Sequence, residues 1–205
     1  MNASIFPLFF DQVPGIRLRD PLAAWLGAAE GGVLEYRYAD AVRLAGHSCP
    51  TVASAYWLCA RSLNALYPDA MPVRGQIEVA LRDPVESGTM GVVAGVVGLI
   101  TGAAGAGGFK GIGGQFVRRD LLTFDALIST ELRLTRADTG ASVCAQAHLK
   151  RVPADPRMAP LMQRCLQGEA SADDHAEFAD LWQDRVRRIL LDHAFDNDVF
   201  EIDVV

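Results

Sequence analysis

The longest regular hydrophobic pattern in the chain follows Pro50. Apolar residues recur there at alternating spacings of four and three, which places them on one face of a helix: Val52, Tyr56, Cys59, Leu63 and Leu66. Pro50 suits the first helical position, where its missing N–H costs nothing, and Pro68 cannot continue the helix. The pattern therefore predicts a helix from Pro50 to near Tyr67, with Cys59 as a packed core thiol.

Alternation of apolar and polar residues marks the strands. Residues 76–81, 114–119, 129–136 and 142–150 each favour a strand by composition and alternation. Gly140 lies in a short segment that suits a hairpin turn between the last two strands. These segments predict four strands of one sheet.

Further helices are predicted before the first of these four sheet strands and between the first and the second. Residues 20–30 carry a proline in the first turn and end at two glycines, residues 40–45 form a short helix, and a short strand at 34–38 separates them. Residues 90–101 are almost wholly apolar. Because a membrane span needs about 20 apolar residues, we interpret this shorter run as a buried helix.

The composition after residue 153 favours helix. Ser171 is followed three residues later by Asp174, a variant of the capping box that opens a helix. An apolar stripe then runs along that helix: Phe178, Trp182, Val186 and Ile189. His193 continues the stripe, which favours core packing over metal binding, and His175 in the first turn is expected to be solvated.

Together these elements predict an α+β fold. Its core has the order helix, strand, helix and three strands, giving a four-stranded mixed sheet with helices on one face. A chain of 205 residues is usually one unit. We therefore expect a main domain of residues 1–152, including an N-terminal helix, and a C-terminal helical extension of residues 153–205 packed on the same unit.

The composition limits the kinds of partner and the cellular location that we expect for this protein. The net charge of −6 provides no electrostatic footprint for a phosphate backbone, so we expect no nucleic-acid partner. The N-terminal residues lack the basic start and cleavage site of a signal peptide, and we expect no membrane association. Four irregularly spaced cysteines form neither a disulfide framework nor a CxxC pair. A reducing, cytoplasmic location fits this composition best.

Candidate chemistry is concentrated just before the longest helix, in the run Gly-His-Ser-Cys-Pro-Thr from Gly46. With Pro50 as the first helical residue, Cys49 is placed at or near the N-cap. There its sulfur faces unpaired N–H groups and the positive end of the helix dipole, which favour the thiolate that binds metals or attacks electrophiles. His47 adds an imidazole two residues away.

This Gly-His-x-Cys-Pro run resembles the signature of the FmdE-like family, which takes its name from a component of formylmethanofuran dehydrogenase. The order of elements over residues 35–152, including the glycine-rich turn and the segment Gly-Ile-Gly-Gly-Gln-Phe-Val-Arg-Arg-Asp from Gly111, is also similar to that family. The resemblance implies the α+β fold, a metal site that includes His47 and Cys49, and pairing of two copies. One departure is clear: Gly108 stands where the family usually has a second cysteine, and Ile112 where it has a lysine.

The missing cysteine leaves the remaining ligands open. Cys144 and His148 share one face of a predicted strand and are candidates, as are the carboxylates of Asp83 and Glu86. The glycine-rich residues 105–114 lack the strand and helix context of a dinucleotide loop. We expect them instead to form a turn that approaches the His47 and Cys49 site.

Two function classes and one structural alternative remain at this point. The first is an FmdE-like metal-binding protein in which His47 and Cys49 hold zinc or another divalent transition metal, with a reaction that the sequence does not specify and room for a small-molecule ligand. The second is a thiol enzyme with Cys49 as nucleophile and His47 as its base. The structural alternative is that the motif only caps a helix. We also expect a homodimer, because the second face of the sheet must be solvated or buried.

Overall fold

A computed structural model describes residues 5–205 and contains a central five-stranded sheet. Its strands are Ile77–Leu81 (β3), Leu122–Thr123 (β4), Leu132–Arg136 (β5), Ser142–Ala147 (β6) and Phe200–Val204 (β7). They lie in the order β4-β3-β5-β6-β7. Only the β3/β4 pair is parallel, so the sheet is mixed.

The inner face of this sheet is covered by helices. The core helix α3 (Pro50–Leu66) packs on β5, β6 and β7, and α4 (Met90–Thr101) packs on α3 and β3, while the short α2 (Tyr38–Ala45) contacts both helices. Alternate strand residues facing these helices are fully buried: Ile77, Val79, Leu81, Leu132, Leu134, Val143 and Ala145. Their burial supplies the main hydrophobic stabilisation of the fold.

The α+β prediction is confirmed, and so is the order of helix, strand, helix and three strands. The predicted strand at 114–119 is wrong, because Gly114 and Phe116 have left-handed φ angles of 78° and 60°, which an extended chain does not tolerate. The strand in that position of the order is the short β4. The count of four strands is also wrong, since β7 joins the free edge of β6 from the end of the chain.

A two-stranded sheet lies near the N-terminal end of the described residues. Strand β1 (Ile16–Arg19) pairs with β2 (Val33–Tyr36) in antiparallel register. Between them, α1 (Pro21–Trp25) starts at the N-cap Asp20, whose carboxylate accepts from the N–H groups of the first turn. The predicted helix over 20–30 is thus shorter than expected, because the chain leaves the helical conformation at Gly27, where φ is 69°.

Residues 153–205 form a helical pair that docks on the core and then returns to the sheet as β7. Helix α5 (Met158–Gln167) packs against α6 (Ala172–Arg187), and a π-helical turn, Arg188–Asp192, extends α6. Ser171 and Asp174 form the predicted capping box. Trp57 of α3 donates its indole N–H to the carbonyl of Leu190 at 3.0 Å, which fixes this extension to the core.

The outer face of the sheet carries polar and charged side chains. Arg133 of β5 lies beside Cys144 of β6, which lies beside Asp203 of β7. Gln146 lies beside Glu201 in the same pair of strands. Within residues 5–205, no helix is both long and apolar enough to cross a membrane.

Candidate functional site

The His-x-Cys motif forms the turn between α2 and α3. Gly46 caps α2 with a left-handed φ of 75°, which reverses the chain and brings the following residues to the entrance of α3. Cys49 is the N-cap, as predicted, and Pro50 is the first helical residue. The Cys49 Sγ accepts from the N–H of Val52 at 3.5 Å, and the residue is only 8% exposed.

His47 is exposed and its ring is held by the backbone. Its Nδ1 lies 2.9 Å from the carbonyl oxygen of Ala45. Because a carbonyl oxygen only accepts, Nδ1 must carry the proton, and the neutral ring then has its lone pair on Nε2. Among the hydrogen bonds of residues 5–205, none uses Nε2 and none joins His47 to Cys49. The Nε2 atom of the imidazole is therefore available as an electron-pair donor.

Ser48, the residue between them, fixes the turn to two helices. Its hydroxyl bonds the Tyr38 hydroxyl at 2.9 Å and the side-chain oxygen of Gln183 at 3.1 Å. Its carbonyl accepts from the Trp182 indole N–H at 2.9 Å and from the Gln183 amide at 3.2 Å. Burial raises the pKa of Tyr38, so the phenol stays protonated. The extension helix α6 thus holds the motif in place.

An open apolar cavity of about 470 Å³ adjoins this turn, between α5 and α6. Its walls are Met162, Cys165, Leu166, Phe178, Ala179 and Trp182, and its polar end is formed by His47, Ser48 and Gln183. A mostly apolar cavity of this size with a few polar groups is typical of a small-molecule site. We call it the His47 cavity. Sequence reasoning missed Cys165 and its neighbours, whose only signal is an exposed apolar pair, Met162 and Leu166, at helical spacing.

The candidate further ligands do not join His47 and Cys49. Cys144 lies on the outer face of the sheet, because its neighbours Val143 and Ala145 face α3 on the inner side. His148 bonds the Glu201 carboxylate at 2.9 Å.

The two carboxylates and the remaining histidines also stay apart from the motif. Asp83 is paired with Arg82, and Glu86 is exposed in the segment before α4. His193 is half-buried and bonds Asp196 at 2.9 Å, so it packs less completely than predicted, while His175 is exposed as predicted. Within residues 5–205 no group of three or more His, Cys, Asp or Glu side chains is placed to hold a metal ion.

The structure also places Cys59 and the glycine-rich loop. Cys59 is fully buried on α3, and burial raises the pKa of its thiol, which confirms a packed core thiol.

The expectation that residues 105–114 approach His47 and Cys49 is wrong. This loop packs against Leu122 and Arg119, and none of its residues lines the His47 cavity. It leads instead to a second cavity, beside Arg118.

Comparison with known proteins does not assign the chain to a family. No protein-family model matches the chain, and no curated protein is similar to it. The resemblance to the FmdE-like family therefore depends on the motif and the order of elements alone.

Proposed function

We propose that the chain is an FmdE-like metal-binding protein in which His47 and Cys49 are ligands of zinc or another divalent transition metal. The observation that carries this proposal is the hydrogen bond from His47 Nδ1 to the Ala45 carbonyl. Metal-binding imidazoles characteristically donate one ring N–H to a carbonyl or carboxylate, which orients the other nitrogen toward the metal. His47 is oriented in this way without any side-chain partner at Nε2 among residues 5–205.

The chemistry of the two donors fits a borderline metal. An imidazole nitrogen and a sulfur suit zinc better than magnesium or calcium. At the N-cap, the sulfur of Cys49 faces the Val52 N–H and the N-terminal end of the α3 dipole. Two protein ligands leave the remaining coordination positions to water, a bound molecule or a second copy of the chain. A metal held there would act as a Lewis acid toward a bound molecule.

The His47 cavity supports a small-molecule ligand beside such a site. His47 and Ser48 line its polar end. Phe178 and Trp182, whose ring centroids are 5.6 Å apart, form part of its apolar wall. A ligand with an apolar body and a polar group that reaches His47 matches this arrangement.

The alternative function, a thiol enzyme, is less well supported by the geometry. A nucleophilic cysteine requires access to substrate and a base within hydrogen-bond reach. Cys49 is buried and forms no hydrogen bond with His47 among the described residues. The metal-binding proposal needs only that both side chains contact a shared ion.

Metal content tests the proposal. Protein purified without chelator and then supplied with zinc is analysed by mass spectrometry as wild type, His47→Ala and Cys49→Ala. We expect bound zinc in the wild type and loss of most of it in both variants. His175→Ala and Cys144→Ala are matched controls, because one side chain is exposed on α6 and the other lies on the opposite face of the sheet, and both should retain the metal.

Two results would refute metal binding: equal zinc content in all five proteins, or none in any of them after supplementation. Circular dichroism of Cys49→Ala separates loss of a ligand from loss of the α3 cap. An alkylation rate of Cys49 in metal-free protein far above that of a free thiol, and abolished by His47→Ala, would support the thiol enzyme instead.

We also propose a cytoplasmic homodimer that pairs through the outer face of the sheet. All four cysteines are free thiols, as a reducing compartment requires. Cys144 lies on the open face, where its cross-strand neighbours Arg133 and Asp203 carry opposite charges that a second copy can match. Light scattering should give a dimer at micromolar concentration and a monomer for Cys144→Arg, with the exposed-turn variant Thr139→Arg as control. A monomeric wild type would exclude the dimer.

A further inference from the structure

A buried cluster of ionic groups lies away from the motif, around Asp20. Its carboxylate accepts from the N–H groups of Leu22 and Ala23 in α1 at 2.9 and 3.2 Å. It also accepts from Arg118 at 2.7 Å and from Arg74 at 2.9 Å. Two guanidinium groups thus share one carboxylate, and the cluster carries one formal positive charge that no side chain within it neutralises.

The two arginines differ in how completely they are bonded. Each nitrogen of the Arg74 guanidinium has a partner, because Nε and Nη2 donate to the carbonyls of Ile100 and Leu99 near the C-terminal end of α4, where the helix dipole also favours a cation. Arg118 is only 7% exposed, yet its Nη1 is buried without a hydrogen-bond partner among residues 5–205. A buried donor left unpaired destabilises the folded state, and more so when it is charged.

The backbone is shaped around this unpaired group. Gly75 and Gly102 both have left-handed φ angles, and a Cβ on Gly75 would overlap the Arg118 guanidinium, while one on Gly102 would lie 2.8 Å from Nη1. The glycine-rich loop brings Arg118 here through Phe116, a non-glycine residue with φ of 60°. Residues held in such unfavourable conformations cluster at ligand sites.

A cavity of about 280 Å³ opens beside Arg118 and Arg74, and we call it the Arg118 cavity. Gln76, Gln115, Phe116 and Val117 line it. Within residues 5–205, the side-chain amides of the two glutamines and the backbone N–H groups of Phe116 and Val117 form no hydrogen bond. No acidic side chain of the described residues lines it, and Pro21 adds an apolar wall. The Arg118 cavity is therefore rich in free donors and in positive charge.

We propose that the Arg118 cavity binds a small organic molecule through a carboxylate group. A monoanion neutralises the single excess charge of the cluster, whereas a phosphate dianion would leave an excess of negative charge in a buried place. The bound carboxylate offsets the excess positive charge of Arg74 and Arg118 from the cavity side and takes hydrogen bonds from the unpaired N–H groups of the cavity lining. Phe116, Val117 and Pro21 pack on the organic part. This site is independent of His47 and Cys49.

Calorimetric titration of the full chain with propionate, benzoate, benzamide and inorganic phosphate tests the proposal. Benzamide has nearly the shape of benzoate without its charge. We expect at least one carboxylate to bind about tenfold or more tightly than benzamide, which corresponds to about 1.4 kcal/mol, and more tightly than phosphate. The same carboxylate should raise the melting temperature, because it binds only the folded state.

Variants locate the site on the protein. Gln115→Glu places a negative charge at the cavity without touching the buried cluster, and should weaken the carboxylate about tenfold or more. Gln163→Glu makes the same change on the exposed face of α5 and should leave affinity unchanged. The proposal is overturned if neither carboxylate exceeds benzamide, if phosphate binds more tightly than both, or if the two variants weaken binding equally. The first result would mean that the excess charge of the cluster attracts no anion into the cavity.

Discussion

The two cavities of this protein contrast in how the chain builds them. The turn at the polar end of the His47 cavity is contiguous in sequence, and its walls come from two neighbouring helices, α5 and α6. The Arg118 cavity lies beside the cluster of Asp20, Arg74 and Arg118, which belong to three distant segments. The first has one exposed imidazole at its polar end, and the second lies beside buried charges that depend on each other. Contiguous chemistry is visible in a sequence, whereas a balance of buried charge exists only in the folded chain.

The largest effect is expected at the buried cluster. Asp20→Ala removes the only carboxylate of residues 5–205 that pairs with Arg74 and Arg118, and it also removes the cap of α1. Leaving buried cations unpaired should lower the free energy of unfolding by about 3–5 kcal/mol, as measured by urea denaturation. Asp155→Ala, at an exposed pair with Arg157, is the control and should change stability little. A loss for Asp20→Ala as small as that of the control would mean that water already screens the cluster.

A smaller effect of the same cluster is expected in acid. Burial alone would raise the pKa of Asp20, but the Arg74 hydrogen bond, the Ala23 N–H and both guanidinium charges outweigh it and hold that pKa below the usual 3.8. The folded state therefore binds this proton less readily than the unfolded state. The resulting stability is fully present above pH 3.8 and is lost as the pH falls through the lowered pKa.

Urea denaturation of wild type and Asp20→Asn over this pH range isolates the contribution. The stability difference between them should stay constant from neutral pH to about pH 5 and then shrink in acid. Other carboxylates titrate in both proteins and cancel in the difference. A difference that is the same at every pH would show that the Asp20 charge does not contribute.

The smallest effect is expected beside His47. Trp182→Phe keeps the aromatic wall of the His47 cavity but removes the indole N–H that donates to the Ser48 carbonyl. Loss of one such hydrogen bond should cost about 1 kcal/mol of unfolding free energy. Affinity for the zinc proposed at His47 and Cys49 should also fall, since the turn that carries His47 is held less firmly. Trp25→Phe, at a residue 61% exposed, is the control for tryptophan removal. Unchanged stability and zinc affinity in Trp182→Phe would show that Gln183 suffices to hold the turn.

Several features were predictable because their causes are local. The bounds of α4 follow from one unbroken apolar run, and the position of Cys49 follows from Pro50 next to it. The capping box at Ser171 likewise needs only residues three apart. Helix starts and buried stripes depend on neighbours in the chain, and so the sequence alone predicts them.

The strand predictions were wrong where the backbone conformation or a distant pairing partner determines whether a strand forms. Residues 114–119 alternate like a strand, but the left-handed φ angles of Gly114 and Phe116 turn the chain away from the sheet. β7 also alternates, yet its role depends on the free edge of β6, to which it returns from the end of the chain. A period-two pattern does not reveal whether a pairing edge exists.

For this protein, the sequence by itself determined the α+β class, the core helix α3 and the placement of His47 and Cys49 at its entrance. Only the tertiary structure decided what surrounds them: Trp182 and Gln183 holding Ser48, Cys144 on the far face of the sheet, and the Arg118 cavity. The physical reason is the range of the interactions. Helix capping and amphipathic burial act over a few residues, whereas the ion pair of Asp20 with Arg118 joins residues 98 positions apart in the sequence.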